Sequence, residues 1–112
     1  MFFSKTHEWI KVDGNVGTCG ISKLAHKELG EIVFIEFPKI SQKIKQDEKV
    51  ALIESTKSAT EIYSPVSGEI VEVNQELEDD LDKINGSPEN EGWIFKIKLS
   101  NLDELKDLIK NQ

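Results

Sequence analysis

The apolar residues of this chain fall in short runs separated by turn-forming residues, and this spacing restricts the fold to one built from short strands. Several runs alternate apolar with polar residues, as strands with one buried face do. An Asp13-Gly14 pair between two runs predicts a tight hairpin. The predicted strands cover residues 9–12, 16–21, 31–37, 50–54, 59–63, 69–73 and 93–99. We therefore expect a small β-rich barrel or sandwich.

Two short helices are predicted where a capping residue precedes a helical apolar pattern. Ser22 caps a segment that ends at Gly30, since glycine readily adopts the positive φ of a helix stop. Asn101 caps a C-terminal helix whose apolar face is formed by Leu102, Leu105, Leu108 and Ile109. Residues 40–49 are expected to form a surface turn or edge strand, and the acidic stretch 74–92 a long loop with room for one helical turn.

Size and charge exclude several classes of protein. A chain of 112 residues can bury one core but not a deep substrate cavity as well, which argues against an autonomous enzyme. All 14 basic residues are lysine and the formal charge is -7, so nucleic-acid binding is not expected. The sequence shows neither a signal-peptide pattern nor an apolar run of membrane-spanning length. We expect no membrane association and a cytoplasmic location, or the mitochondrial matrix if a transit peptide has been removed.

The residues that most often carry chemistry have ordinary structural explanations here. Cys19 lies in a strand pattern and is interpreted as a small buried hydrophobe. Trp9 and Trp93 are expected to contribute to the core. His26 has no partner that would make a nucleophile or metal motif, and no metal site is predicted.

Lys57 stands apart because of its surroundings. Two apolar strands flank a turn of small, mostly hydroxyl-bearing residues, which places Lys57 at or beside a hairpin tip. A lysine on rigid strands with an unobstructed ε-amine is suited to carry an amide-linked group. Taken alone this signal is weak, because exposed lysines at turns are common.

The chain also contains a faint internal repeat. Residues 30–33, Gly-Glu-Ile-Val, recur as residues 68–71. Four shared residues of common types are weak evidence of a duplication, but they fit a barrel built from two related halves with the Lys57 hairpin between the two copies.

Several segments in order resemble the H protein family of the glycine cleavage system. The resemblance runs from about Thr6 to Leu108 and is most specific at the lysine hairpin and the Ser-Pro-Val-Ser-Gly turn that follows it. The segments are Thr6-His7-Glu8-Trp9-Ile10, Gly20-Ile21-Ser22, residues 29–34, 53–59 and 63–74, and Gly92-Trp93-Ile94-Phe95-Lys96-Ile97.

This resemblance implies a mostly β barrel-sandwich hybrid fold, with a short internal helix and a C-terminal helix, in one domain covering residues 1–112. It implies lipoic acid amide-linked to Lys57, in a monomeric carrier that is a substrate of other enzymes and has no catalytic residues of its own. In the family, the lipoyl group takes an aminomethyl group from a pyridoxal-phosphate glycine decarboxylase to an aminomethyltransferase that uses tetrahydrofolate. Dihydrolipoyl dehydrogenase then reoxidises the dithiol, and a lipoate ligase or a lipoyl/octanoyl transferase installs the group.

The segment Thr6-His7-Glu8 matches the family's stretch that lines a cleft for the loaded arm. Glu8 is expected to act as a counter-charge for a cationic amine, with Thr6 and His7 as lesser contacts; an ordinary solvated carboxylate is the alternative for Glu8. Thr56 and Ser58 differ from the residues commonest beside the family's lysine, which affects the choice of ligase.

Three other functions remain open at this point. The chain could be a lipoyl donor or store for 2-oxoacid dehydrogenase subunits, and sequence does not separate that role from glycine cleavage. A biotin carrier would typically flank the lysine with methionines, but Met1 is the only methionine. An unmodified interaction domain would show no adduct on Lys57.

Overall fold

The computed structural model describes residues 1–110, which form two antiparallel sheets with short helices at their edges. The strands are β1 Phe2–Phe3, β2 Glu8–Asp13, β3 Val16–Ile21, β4 Ile32–Glu36, β5 Lys43–Ile44, β6 Lys49–Ser55, β7 Ala59–Tyr63, β8 Gly68–Val73 and β9 Phe95–Leu99. The helices are α1 Lys23–Leu29, α2 Glu76–Asp79, α3 Asp82–Gly86 and a 3-10 helix, Leu102–Asp107. Asn111 and Gln112, the end of the predicted domain, lie outside the described residues.

The two sheets divide the strands unequally. One sheet has six strands in the order β1-β2-β3-β9-β8-β5, and the other has three in the order β4-β6-β7. All neighbouring strands are antiparallel. The mostly β barrel-sandwich hybrid expected from the sequence is confirmed. The predicted hairpin around Gly14 is also present, with Asp13 paired to Val16.

A core of apolar side chains fills the space between the sheets. Cys19, Ile53 and Ile97 are fully buried within it, so the interpretation of Cys19 as a core residue is confirmed. Trp9 is also buried and donates from Nε1 to the carbonyl oxygen of Pro88 at 2.9 Å. Its cross-strand partner must be glycine, because a Cβ on Gly20 would approach the Trp9 indole to 2.9 Å. Trp93, in contrast, is only half-buried, and the Lys96 Nζ lies over its ring, 5.0 Å from the ring centre.

The predicted helix caps are present. Ser22 Oγ accepts from the Ala25 N–H, and Gly30 ends α1 with φ 84°. Asn101 caps the C-terminal helix, but that helix is a 3-10 helix that stops at Asp107, not an amphipathic α-helix extending to Ile109. Both carboxylate oxygens of Glu104 accept from Ser67, which holds this short helix on the turn before β8.

The acidic stretch 74–92 is more ordered than predicted, since it contains both α2 and α3. Asn74 holds the two ends of the stretch together, and Asn85 ties it to β4. Asn74 Nδ2 donates to the carbonyl oxygens of Glu91 and Trp93. Asn85 exchanges hydrogen bonds with the backbone of Ile32 and also contacts His26 Nε2 at 2.8 Å, which gives His26 a structural partner. Side-chain contacts to distant backbone groups are not visible in local sequence patterns.

The internal repeat has a structural counterpart. In each copy the pairing register shifts at the valine, between Ile32 and Phe34 in β4 and between Ile70 and Glu72 in β8. Each shift is a β-bulge, in which one extra residue is accommodated in one strand. The two copies lie in different sheets, as expected of related halves of a barrel.

Candidate functional site

Lys57 lies in the three-residue loop, 56–58, that joins β6 to β7. The last cross-strand pair before the loop is Glu54 with Ala59. Ser55 organises the turn: its N–H donates to the Ser58 carbonyl at 2.8 Å, and its Oγ accepts from the N–H groups of Lys57 and Ser58 at 3.2 Å. A serine side chain that binds its own turn restricts the backbone. The tip is therefore held in one shape while the Lys57 side chain remains exposed.

The segment just before β4 also supports this tip. The Thr56 N–H donates to the Glu31 carbonyl at 3.0 Å, which joins the loop to the segment between α1 and β4. The Lys57 side chain extends over Gly30, where a Cβ would lie 3.5 Å from Lys57 Cε and 3.8 Å from Nζ. The end of α1 and the lysine-bearing hairpin thus form one continuous surface.

A cleft of about 410 Å³ opens between α1 and β7. Its walls combine apolar side chains with carboxylates. The lining residues are Lys5, Thr6, His7, Glu8, Ile21, Ala25, Glu28, Leu29, Thr60, Glu61, Ile62 and Tyr63. Lys57 is not a lining residue, but the two elements next to it, α1 and β7, both contribute to the cleft. Leu29 is the last residue of α1, directly before Gly30, and Thr60 lies in β7, which follows the tip. The three residues predicted to line a cleft therefore line one beside the lysine hairpin.

Glu8 is the buried carboxylate of this cleft, with only 2% of its surface exposed. Oε1 accepts from the hydroxyls of Ser4, at 2.5 Å, and Thr6, and Oε2 accepts from the Tyr63 N–H at 3.2 Å. Burial raises the pKa of the Glu8 carboxyl, because the charged form loses water, although these hydrogen bonds partly oppose the shift. The alternative of an ordinary solvated carboxylate at this position is wrong.

Thr6 and His7 form the turn that presents Glu8. His7 has φ 68°, an uncommon conformation for a residue other than glycine, and its N–H donates to the Ser4 carbonyl at 3.1 Å. This turn brings Ser4 back over Glu8, whose N–H donates to Ser4 Oγ at 3.1 Å. Backbone strain of this kind often accompanies functional sites, and here the strained turn orients the wall of the cleft.

Two further contributors could not be found from sequence. Ser4 stands in an N-terminal segment without a motif, and its role depends on the turn at His7. Tyr63 contributes its backbone N–H to Glu8 across 55 residues of chain, while its hydroxyl donates to Glu61 at 2.9 Å. That hydrogen bond, together with the negative charge of Glu61, raises the pKa of the Tyr63 phenol.

Comparisons with known proteins show the family of this chain. The model of the family described as "Glycine cleavage H-protein" matches residues 1–112. The chain belongs to the glycine cleavage H-protein family. This family is one of lipoyl carriers.

Individual relatives cover almost the whole chain. A putative mitochondrial glycine cleavage system H protein of Schizosaccharomyces pombe is 50% identical over 110 residues, 98% of this chain and 65% of the relative. This chain thus spans slightly less than two thirds of that protein. A Thermotoga maritima glycine cleavage system H protein is 44% identical over 110 residues, 98% of this chain and 89% of the relative. The crystal structure of a glycine cleavage system H protein from Mycobacterium marinum matches with a TM-score of 0.83 and 30% identity, over 88% of this chain and 83% of that one.

The cysteine of this H-protein family member, Cys19, is unsuited to act as a nucleophile. Burial raises the pKa of the Cys19 thiol well above its ordinary value, and the charge of Glu8 adds to the effect. A thiol of that kind is a poor nucleophile.

Among residues 1–110, no helix is both long and apolar enough to cross a membrane.

Proposed function

We propose that the chain is a non-catalytic carrier of the glycine cleavage system, with lipoic acid amide-linked to Lys57. The observation that carries this proposal is the Lys57 tip, where the backbone is held by Ser55 and Glu31 while the ε-amine remains exposed. Membership of the H-protein family supports the choice of lipoic acid. We propose further that residues 1–112 act as one monomeric domain, in the cytoplasm or the mitochondrial matrix.

The cleft beside the tip fits such a group. Ile21, Ala25, Leu29 and Ile62 offer an apolar wall to a methylene chain, while Glu8, Glu28 and Glu61 carry carboxylates. When bound, the lipoyl group supplies a cyclic disulfide that can be reduced reversibly and can hold an aminomethyl group. The residues that would hold the arm against this protein are those of the cleft, with Glu8, Thr6 and His7 forming one end.

Glu8 is proposed to favour a cationic amine in the cleft. Its two oxygens are already positioned by Ser4, Thr6 and Tyr63, so little rearrangement is needed for the carboxylate to face a positive charge. A cation nearby stabilises the ionised form and so opposes the effect of burial on the pKa. The partly enclosed walls would also limit access of water to a bound amine.

The proposed partners follow from the role of the carrier. They are a pyridoxal-phosphate glycine decarboxylase, a tetrahydrofolate-dependent aminomethyltransferase, dihydrolipoyl dehydrogenase, and a lipoate ligase or lipoyl/octanoyl transferase. The net charge of -7 would steer the carrier towards basic surfaces on those enzymes.

Intact-mass analysis of the chain made in the presence of a lipoylating system tests the attachment site. We expect one lipoyl-sized adduct in the wild type, loss of the adduct in Lys57→Arg, and retention in Lys45→Arg. Lys45 is a matched control because it is also an exposed lysine that follows a strand. An adduct that persists in Lys57→Arg, or a wild-type chain that is never modified, would contradict the proposal.

A further inference from the structure

The two copies of the Gly-Glu-Ile-Val motif differ at the residue that follows them. Val33 and Val71 lie at equivalent bulges and are 48% and 40% exposed. After Val71 comes Glu72, an exposed glutamate whose carboxylate lies 3.7 Å from Lys96 Nζ, which is ordinary for a sheet surface. After Val33 comes Phe34, an aromatic residue with 50% of its surface exposed. Exposed adjacent apolar residues often mark an interaction surface.

This apolar pair lies next to the lysine hairpin. Ile32 is paired with Ser55, and Phe34 with Glu54, so β4 runs beside the last residues of β6 before the tip. Paired residues project to the same face of a sheet, which places Phe34 and Glu54 side by side on the outer face. Val33 and Phe34 also line a groove of about 240 Å³ between β4 and α2, whose far wall includes Leu77 and Leu81.

We propose that Val33 and Phe34 form the docking surface for the enzyme that acylates Lys57; this inference rests on the proposed function. An enzyme that acts on Nζ must enclose the tip itself, whereas enzymes that act at the far end of an attached arm need not. An interface of standard size covers about 800 Å² on each partner, equivalent to a disc of about 16 Å radius. Glu54 is three residues from Lys57, at most about 11 Å along the chain, and Phe34 is its neighbour across the sheet.

The charges around the apolar pair specify the partner further. Three exposed glutamates lie close to this pair. Glu31 is two residues before Val33 in the chain, Glu54 is paired with Phe34 across the sheet, and Glu78 lines the same groove. The acylating enzyme should therefore present an apolar site for Phe34 with lysine or arginine side chains around it, near the mouth of its active site.

The reaction at this interface requires an activated acyl donor held by the enzyme, either an acyl thioester or an acyl phosphate anhydride. The neutral Lys57 amine attacks the acyl carbonyl carbon and forms the amide C–N bond. The bond from that carbon to sulfur or phosphate oxygen breaks, and the amine proton leaves with the released thiol or phosphate. The docking surface takes no part in bond making; it raises the occupancy of the productive complex.

The test uses a purified lipoate ligase with lipoate and ATP, and follows the adduct on the full-length apo-chain by intact mass. For Phe34→Thr we expect kcat/KM to fall by about tenfold, mainly through KM, since a buried aromatic anchor dominates many interfaces. Val33→Ser should give a smaller loss. Val71→Ser, at the equivalent bulge in the other sheet, should stay within about twofold of the wild type. Urea denaturation of each variant establishes that it is folded at the assay temperature.

The outcomes separate the two proposals. If the wild type is acylated on Lys57 but Phe34→Thr reacts equally well, the docking surface is wrong and the carrier function stands. A loss with Val71→Ser as large as with Phe34→Thr also overturns the inference, because the effect would not be local to the tip. If the wild type is not acylated on Lys57, the proposed function fails and the docking surface fails with it.

Discussion

Replacing Gly30 by alanine tests how the end of α1 supports the Lys57 tip. Gly30 has φ 84° and ψ -159°, a backbone conformation that is essentially restricted to glycine. A residue with a Cβ held in such a region costs about 1 to 3 kcal/mol. The added methyl itself finds room, since its nearest neighbour would be Lys57 Cε at 3.5 Å. The expected loss of stability in Gly30→Ala therefore comes from the backbone and not from a clash.

Gly86→Ala is the matched control. Gly86 ends α3, has no positive φ, and has nothing within 4 Å of an added Cβ, so alanine there should leave stability unchanged or raise it by up to about 1 kcal/mol. For a chain of this size about 1 kcal/mol corresponds to roughly 4 °C in Tm. Thermal and urea denaturation should show Gly30→Ala unfolding about 4 to 12 °C below the wild type. Equal midpoints for Gly30→Ala and Gly86→Ala would refute the argument from backbone conformation.

Burial raises the pKa of the Glu8 carboxyl above its ordinary value of 4.5, so the folded state binds a proton there more tightly than the unfolded state does. Protonation of Glu8 therefore stabilises the fold. This stabilisation is lost as pH rises above 4.5 through the raised pKa. Urea titrations should show the wild type weakening relative to Glu8→Gln over that range, and parallel pH profiles would contradict this. Glu8→Gln should also shorten the lifetime of the aminomethyl-loaded carrier severalfold, measured by ammonia release; an unchanged lifetime would remove the proposed role of Glu8. In urea denaturation, Glu104→Ala should lower the free energy of unfolding by about 1 to 3 kcal/mol, because both carboxylate oxygens bind Ser67. The control Asp103→Ala changes a side chain that is 81% exposed and should lower it by less than about 0.5 kcal/mol. Similar losses in the two variants would show that the Ser67 contact does not stabilise the fold. Rates with the partner enzymes should fall as ionic strength rises, because the charge of -7 steers encounter; rates independent of salt would exclude that steering.

Local features of the fold were predictable because they depend on neighbouring residues. The hairpin at Gly14, the cap at Ser22 and the stop at Gly30 each follow from the conformational preferences of one or two residues. The position of Lys57 at a hairpin tip follows in the same way from two apolar runs and the short polar turn between them. The family resemblance added the identity of the fold, which periodicity alone left as a barrel or a sandwich.

The C-terminal helix and the acidic stretch were predicted less well because distant contacts decide their shape. Glu104 binds Ser67, 37 residues away in the chain, and that contact anchors a 3-10 helix where an amphipathic pattern suggests an α-helix. Asn85 in the acidic stretch binds the backbone of Ile32, 53 residues away. Neither partner could be paired from the sequence.

The sequence by itself determined where the strands and turns lie and which lysine occupies a hairpin tip, because these depend on short-range backbone preferences. Only the tertiary structure decided that Glu8 is buried, since its burial requires the turn at His7 and the backbone of Tyr63 on another strand. The exposure of Phe34 was likewise decided by the bulge in β4, which interrupts the alternation that would otherwise be expected of the strand. A side chain's burial and charge state depend on what packs against it, and for both residues the neighbours come from distant parts of the chain.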